Sequence, residues 1–345
     1  MRFQNRVVLL CFGLLLLQSV CCAQVRVEPE LLQRATRVTE LPADQWTQVY
    51  AWLSDHEIFL IRDGTKGAFY TGAAGPDWQA FRRDLRTGTD TPLSNLNVLL
   101  KSSRAGNPGV NLSSDGKWML WEAWFQFVAT EAARLDGSAK EIVAWPHTYY
   151  DYDNERRHNA TYWIGNSHAW VEFPMLPVND YHVLYAIVHN VDHPGYHKRI
   201  RIAPSSPLNA GDIYDACVIS MRQMLSVHLT SPANSQVIYT TDLAAGGRRR
   251  HRYVLHAEPG TYFVEIVFSH RGDRVIWLTS RSEGNKEIEN LWISRLDRAG
   301  KHSLGKLILP GAHSPADRVA VLQWLPDDKR ISFMYQEALW TIPTD

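Results

Sequence analysis

The sequence predicts an all-β fold, a β-propeller of six four-stranded blades with seven as the alternative count, and three observations carry that prediction. An apolar strand, a polar turn and a second, nearly continuous apolar strand recur along the chain. Strand–turn–strand pieces rich in Asp and Gly follow several of these copies. The final copy stops after its third strand, while a strand-like piece with no obvious partner lies near the amino end.

Taken in chain order, the first element is a leader. Arg2 and Arg6 precede the apolar run Val7 to Leu17, interrupted only by Gly13, and "SVCCAQ" supplies small residues at Cys21 and Ala23. Residues 1–23 read as an export signal cleaved after Ala23, so the mature protein is expected to be periplasmic or secreted. The apolar core is far short of the ~20 residues that span a bilayer. A lipoprotein acylated at Cys21 or Cys22 is the rival reading, and the residues before each cysteine fit a lipoprotein box poorly. Cleavage would leave Cys217 as the only thiol, so residues 24–345 are expected to fold without a disulfide, as a monomer with a sizeable core.

The piece "ATRVTEL", residues 35–41, is expected to add the outer strand of the last blade and so close the ring. The repeating unit follows as "YAWLSDHEIFLIRDG" (50–64), "GVNLSSDGKWMLWEAW" (109–124), "AWVEFPMLPVNDYHVLYAIVHN" (169–190), "LSVHLTSPANSQVIYTTDL" (225–243), "FVEIVFSHRGDRVIWLTSRSEG" (263–284) and "VAVLQWLPDDKRISFMYQEALW" (319–340). Ser-Asp-Gly, Arg-Gly-Asp and Pro-Asp-Asp close tight turns through Asx bonding, a positive φ at Gly, or the fixed φ of Pro. The strand after each turn lacks polar alternation, which predicts cover on both faces. "RRDLRTGTDTPL", "AARLDGSAKEIV" and "SRLDRAGKHSLGKLIL" supply the second hairpin of a blade.

"NLSSDGKWMLW" followed by "RLDGSAKEIV" resembles the WD40-like propeller repeat of the TolB family, and "HLTSPANSQVIYTTDLAAGGRRR" carries much of the same pattern. The resemblance spans most of residues 45–345 and implies a fold more than a function, because propellers host binding, scaffolding and catalysis alike. TolB proteins carry an additional amino-terminal α/β domain. The sequence leaves no room for one, so a role in the Tol envelope system is not expected.

With blade strands lettered a to d from the centre outward, "HNVDHPGYHK" (189–198) is predicted to be the b–c loop of blade three. The segment 147–168 is predicted to be the crossover into that blade, which would place both on the channel mouth. Seven of the fourteen histidines fall between His147 and His197. The candidate ligand-binding residues are therefore Tyr149, Asp151, Tyr152, Asp153, His158, Trp163, His189, His193 and His197, because flat rings suit sugar faces and peptide side chains. A metal site would draw on His189, Asp192, His193 and His197, but Pro194-Gly195 disfavours the helix that would align His-x-x-x-His. "DYDNE" has the alternation of a calcium loop, yet two arginines follow where glycine belongs. The plain alternative is a solvated polar loop.

Thirty-six basic and thirty-six acidic side chains give zero formal charge, so nucleic acid is not an expected partner. The one dense basic run, Arg248 to Arg252, reads as a solvated hairpin. Neither a Gly-x-Ser-x-Gly elbow nor His-Glu-x-x-His occurs. The expected function is non-catalytic binding of a protein, peptide or glycan with no cofactor. The alternative is a metal-assisted propeller enzyme, a polysaccharide lyase or hydrolase.

Overall fold

The computed structural model describes residues 30–41, 46–63, 79–102, 111–124, 128–144, 160–173, 185–209, 213–230, 234–297, 300–310 and 317–345. They form six antiparallel four-stranded sheets arranged as a propeller. Blade one is β2 (Trp46–Ser54), β3 (Glu57–Asp63), β4 (Gln79–Asp84) and β5 (Thr89–Pro92). Blade two is β6 (Asn111–Leu112), β7 (Trp118–Trp124), β8 (Val128–Arg134) and β9 (Lys140–Ala144). Blade three is β10 (Ala160–Trp163), β11 (Ala169–Phe173), β12 (Tyr185–Asn190) and β13 (His197–Arg201). Blade four is β14 (Ile213–Ser220), β15 (Gln223–Leu229), β16 (Ser235–Asp242) and β17 (Arg248–His256). Blade five is β18 (Tyr262–Phe268), β19 (Arg274–Glu283), β20 (Lys286–Arg295) and β21 (Lys301–Pro310). Blade six joins β22 (Ala320–Trp324), β23 (Arg330–Tyr335) and β24 (Ala338–Pro343) to β1 (Thr36–Glu40), with Arg37 opposite Trp340. The closing strand is thus the predicted one.

The b strands explain the sheets' stability. Ile58 to Ile61, Met119 to Trp121 and Val275 to Leu278 are buried along their whole runs, because each is covered by neighbouring blades on both faces. Each large apolar side chain removed from water contributes roughly 1.5–3 kcal/mol. The a–b turns follow from local chemistry. Ser113 Oγ donates to Asp115 at 2.7 Å and accepts from the Trp118 N–H at 2.9 Å, with Gly116 at φ +65° between them. Ser269, Gly272 and Asp273 repeat this turn in blade five.

One contact repeats in every blade. A main-chain N–H just beyond strand c donates to a carbonyl in the same blade's a–b turn, in the pairs Leu85–His56, Leu135–Lys117, Val191–His168, Ala244–Met221, Leu296–Asp273 and Thr344–Lys329. The a–b and c–d turns of a blade therefore share one end of its sheet.

Short helices fill the rim. Leu31 of the turn Glu30–Arg34 packs with Leu304 and Leu307 of β21, and Leu96 and Leu100 of Ser94–Ser102 seal the joint between blades one and two. Gly137 lies against that second helix, where a Cβ would stand 2.2 Å from Asn95 Cβ. Among the described residues no helix is long and apolar enough to cross a membrane.

The pairing corrects the sequence reading of blades three and four. Residues 169–190 and 225–243 hold strands b and c, not a and b. The true a–b turns are Ile164 to His168 and Met221-Arg222. Both lack the aspartate that marks this turn in blades two, five and six, while the b–c stretches carry proline and asparagine and mimic it.

Candidate functional site

That correction moves the histidine segment. His189 pairs with His197 across β12 and β13, so residues 190–196 form the c–d turn, not the predicted b–c loop. The turn sits at the Trp163–Trp170 end of the sheet, beside the a–b turn. β10 begins at the other end, where Ala160 pairs with Phe173. Of the predicted crossover 147–168, the described part is strand a from Ala160 to Trp163 followed by the a–b turn, whose His168 carbonyl accepts the Val191 N–H beside the c–d turn. Tyr149, Asp151, Tyr152, Asp153 and His158 lie outside the described residues.

The remaining candidates separate into buried and exposed. Trp163 is 8% exposed, and its indole N–H donates to the Asn111 carbonyl at 2.9 Å, tying blade three to blade two. His189 is 5% exposed and stacks on Trp170, with ring centroids 4.2 Å apart. Its Nε2 lies 3.2 Å from Glu172 Oε2, also buried. This histidine is a core residue. His193 and His197 are exposed, as is Tyr196.

Local bonds shape the turn that carries them. Asn190 Oδ1 accepts the Asp192 N–H at 2.9 Å, Tyr196 N–H donates to the His193 carbonyl, and Gly195 takes φ +83°. Asp192 reaches His168 Nδ1 at 2.8 Å, and His168 Nε2 reaches Asp115 of blade two at 2.9 Å. The hydrogen bond from Asp115 raises the His168 pKa above its ordinary value; burial opposes this and Asp192 adds to it. Burial alone would raise Asp115, but bonds from His168, Ser113 and Lys117 hold its carboxyl well below the usual carboxylate range. The four metal candidates do not converge: His189 is committed to Glu172 and Asp192 to His168. Among the described residues no three His, Cys, Asp or Glu are placed to hold a metal ion.

A second group of titratable residues, unmarked by any motif, sits on the innermost strands. Burial pushes Asp215 up to about 6 and Glu265 up to about 7, and the charge of Asp215 adds to the rise at Glu265. Glu265 Oε1 accepts the Leu322 N–H of blade six at 2.9 Å. Cys217, half-buried on the same strand as Asp215, is pushed up to about 12 by burial and remains a thiol.

Comparison with known proteins yields fold-level likeness alone. No protein-family model matches the chain, and no curated protein matches it. Among solved structures, an oligogalacturonate lyase in complex with manganese is 13% identical with a TM-score of 0.47, over 90% of this chain and 92% of that one. The tricorn protease is 10% identical with a TM-score of 0.46, over 92% of this chain, which spans 33% of the protease. A prolyl endopeptidase is 12% identical with a TM-score of 0.42, over 81% of this chain and 44% of that one. Six-bladed propellers occur in enzymes and in binding domains, so the fold indicates neither.

Proposed function

We propose that the protein is an exported, non-catalytic binding propeller with a TolB-like repeat, which engages a protein, peptide or glycan through the c–d turn of blade three. One observation supports this reading. The turn presents His193, half-exposed Tyr196 and His197 to solvent, while the histidines flanking it, His168 and His189, are spent on holding the blade. Flat amphipathic rings on a fixed turn give contact area at little entropic cost.

The test is a glycan array and a peptide array probed with the parent protein and with His193→Ala/Tyr196→Ala/His197→Ala. Ligands bound by the parent and lost in a variant of unchanged melting temperature support the reading. Equal binding by both proteins overturns it.

A further inference from the structure

A zero net charge conceals a local concentration of cations on the rim of blades three and four. β17 is an outermost strand, and Arg248, Arg249, Arg250, His251 and Arg252 are all exposed along it. β13, the outermost strand of the preceding blade, exposes Lys198, Arg199 and Arg201. The segment that follows β13 meets the turn that precedes β17 where the Ala203 N–H donates to the Gly246 carbonyl at 2.9 Å. Arg250 pairs with Asp242, whereas among the described residues Lys198, Arg199, Arg201, Arg248, Arg249 and Arg252 form no ion pair. Arg199 instead lies over the Tyr185 ring, 4.4 Å from its centroid.

The patch runs into a cleft of about 310 Å³ between blades four and five. Arg222, Arg250, His251 and Tyr253 line its blade-four side, and Asp273 and Asp297 face them. Asp297 is held by Arg295 in a two-bond fork, and Asp273 accepts from Ser269 and lies 3.8 Å from Arg274, so each carboxylate already has a cation beside it. The cationic wall keeps spare donors.

We infer that the β17 edge and the cleft beside it bind an acidic polysaccharide, a reading that does not rest on the rings of the blade-three turn. Guanidinium forks match carboxylate or sulfate groups repeated along a chain, and Arg248 to Arg252 present them over about 13 Å of edge. The His251 and Tyr253 rings, 6.3 Å apart, line the cleft with Arg222 and Arg250 and offer apolar surface for sugar faces there. An acidic peptide adding as a fifth strand fits less well. The ladder is irregular between Thr240 and Thr241, and a bulged edge with large charged side chains resists strand addition.

Titration calorimetry with alginate as the carboxylated glycan and dextran as the neutral one tests the inference. The parent is expected to bind alginate more weakly as salt rises and to ignore dextran. Arg248→Ser/Arg249→Ser/Arg252→Ser is expected to lose roughly tenfold or more in affinity, and Arg222→Ala a smaller factor. These side chains are exposed, so an unchanged melting curve separates lost binding from lost folding. Equal alginate affinity in parent and triple variant overturns the inference. So does parent binding to poly-glutamate, single-stranded DNA or anionic vesicles as tight as to alginate, since the surface would then be selecting charge and not a glycan.

Discussion

The Tyr50 hydroxyl donates to the Val321 carbonyl at 2.9 Å and lies 2.9 Å from Ser332 Oγ, so blade one grips the innermost strand of the blade that closes the ring. Val321 holds φ +56°, a conformation strained for a β-branched side chain, and the neighbouring Leu322 N–H is bound by Glu265 of blade five. The strained residue is clamped from both sides.

Tyr50→Phe removes that bond and leaves a carbonyl without its donor at the first–last junction. A loss of about 1–2 kcal/mol is expected. Urea unfolding of parent and variant checks it, and equal stabilities would show that the clamp does not hold the seam.

His168 bridges Asp115 and Asp192 and has a raised pKa. The folded state holds the imidazolium proton more tightly, so this stability is complete below the unfolded pKa of about 6.5 and is lost as pH rises through the folded value. His168→Gln is expected to cost about 1 kcal/mol at pH 6 and less at pH 9. Unfolding midpoints at the two pH values decide it; a difference independent of pH rules out the bridge as the source.

Glu265 titrates the other way in chemistry but with the same sign. Burial lifts it to about 7, so the folded protein keeps a proton that the unfolded chain gives up near 4.5, and stability falls between those values as pH rises. Glu265→Gln keeps an oxygen for the Leu322 N–H and removes the buried charge. The variant is expected to be at least as stable as the parent at pH 8 and to lose its advantage at pH 5. A variant less stable at pH 8 would mean that the carboxylate's bonds outweigh its burial.

The histidines of the blade-three hairpin differ in kind. His189→Ala, which empties a stacked core position and strips Glu172 of a partner, is expected to cost about 2–3 kcal/mol. His193→Ala and His197→Ala are expected to stay within about 0.5 kcal/mol of the parent. Equal effects at all three positions would contradict this division.

The ring was legible because b strands buried on both faces lose their polar alternation, and because Ser, Asp and Gly together mark the turns, as Ser113, Asp115 and Gly116 in blade two and Ser269, Gly272 and Asp273 in blade five. The phase of blades three and four was not legible. Gly165 and Met221-Arg222 make the a–b turns without the aspartate signature, and that one-strand slip put residues 189–198 on the wrong connection. His189 reads as a loop residue because histidine is polar, yet it lies directly opposite Trp170 in the ladder, where a flat ring packs on a flat ring. The Asp115–His168–Asp192 bridge joins residues from three turns, and no single-chain pattern places them side by side.

The seam at β1 and β24 also governs assembly. Arg37 faces Trp340, so of the strands described here the earliest in chain order is completed by the latest. Blade six has no finished sheet until synthesis has passed Pro343, and until then β23 keeps a bare flank that other chains are free to pair with. Closure of the disc therefore waits on β24, and an amino-terminal truncation that removes β1 is a route to strand exchange between copies.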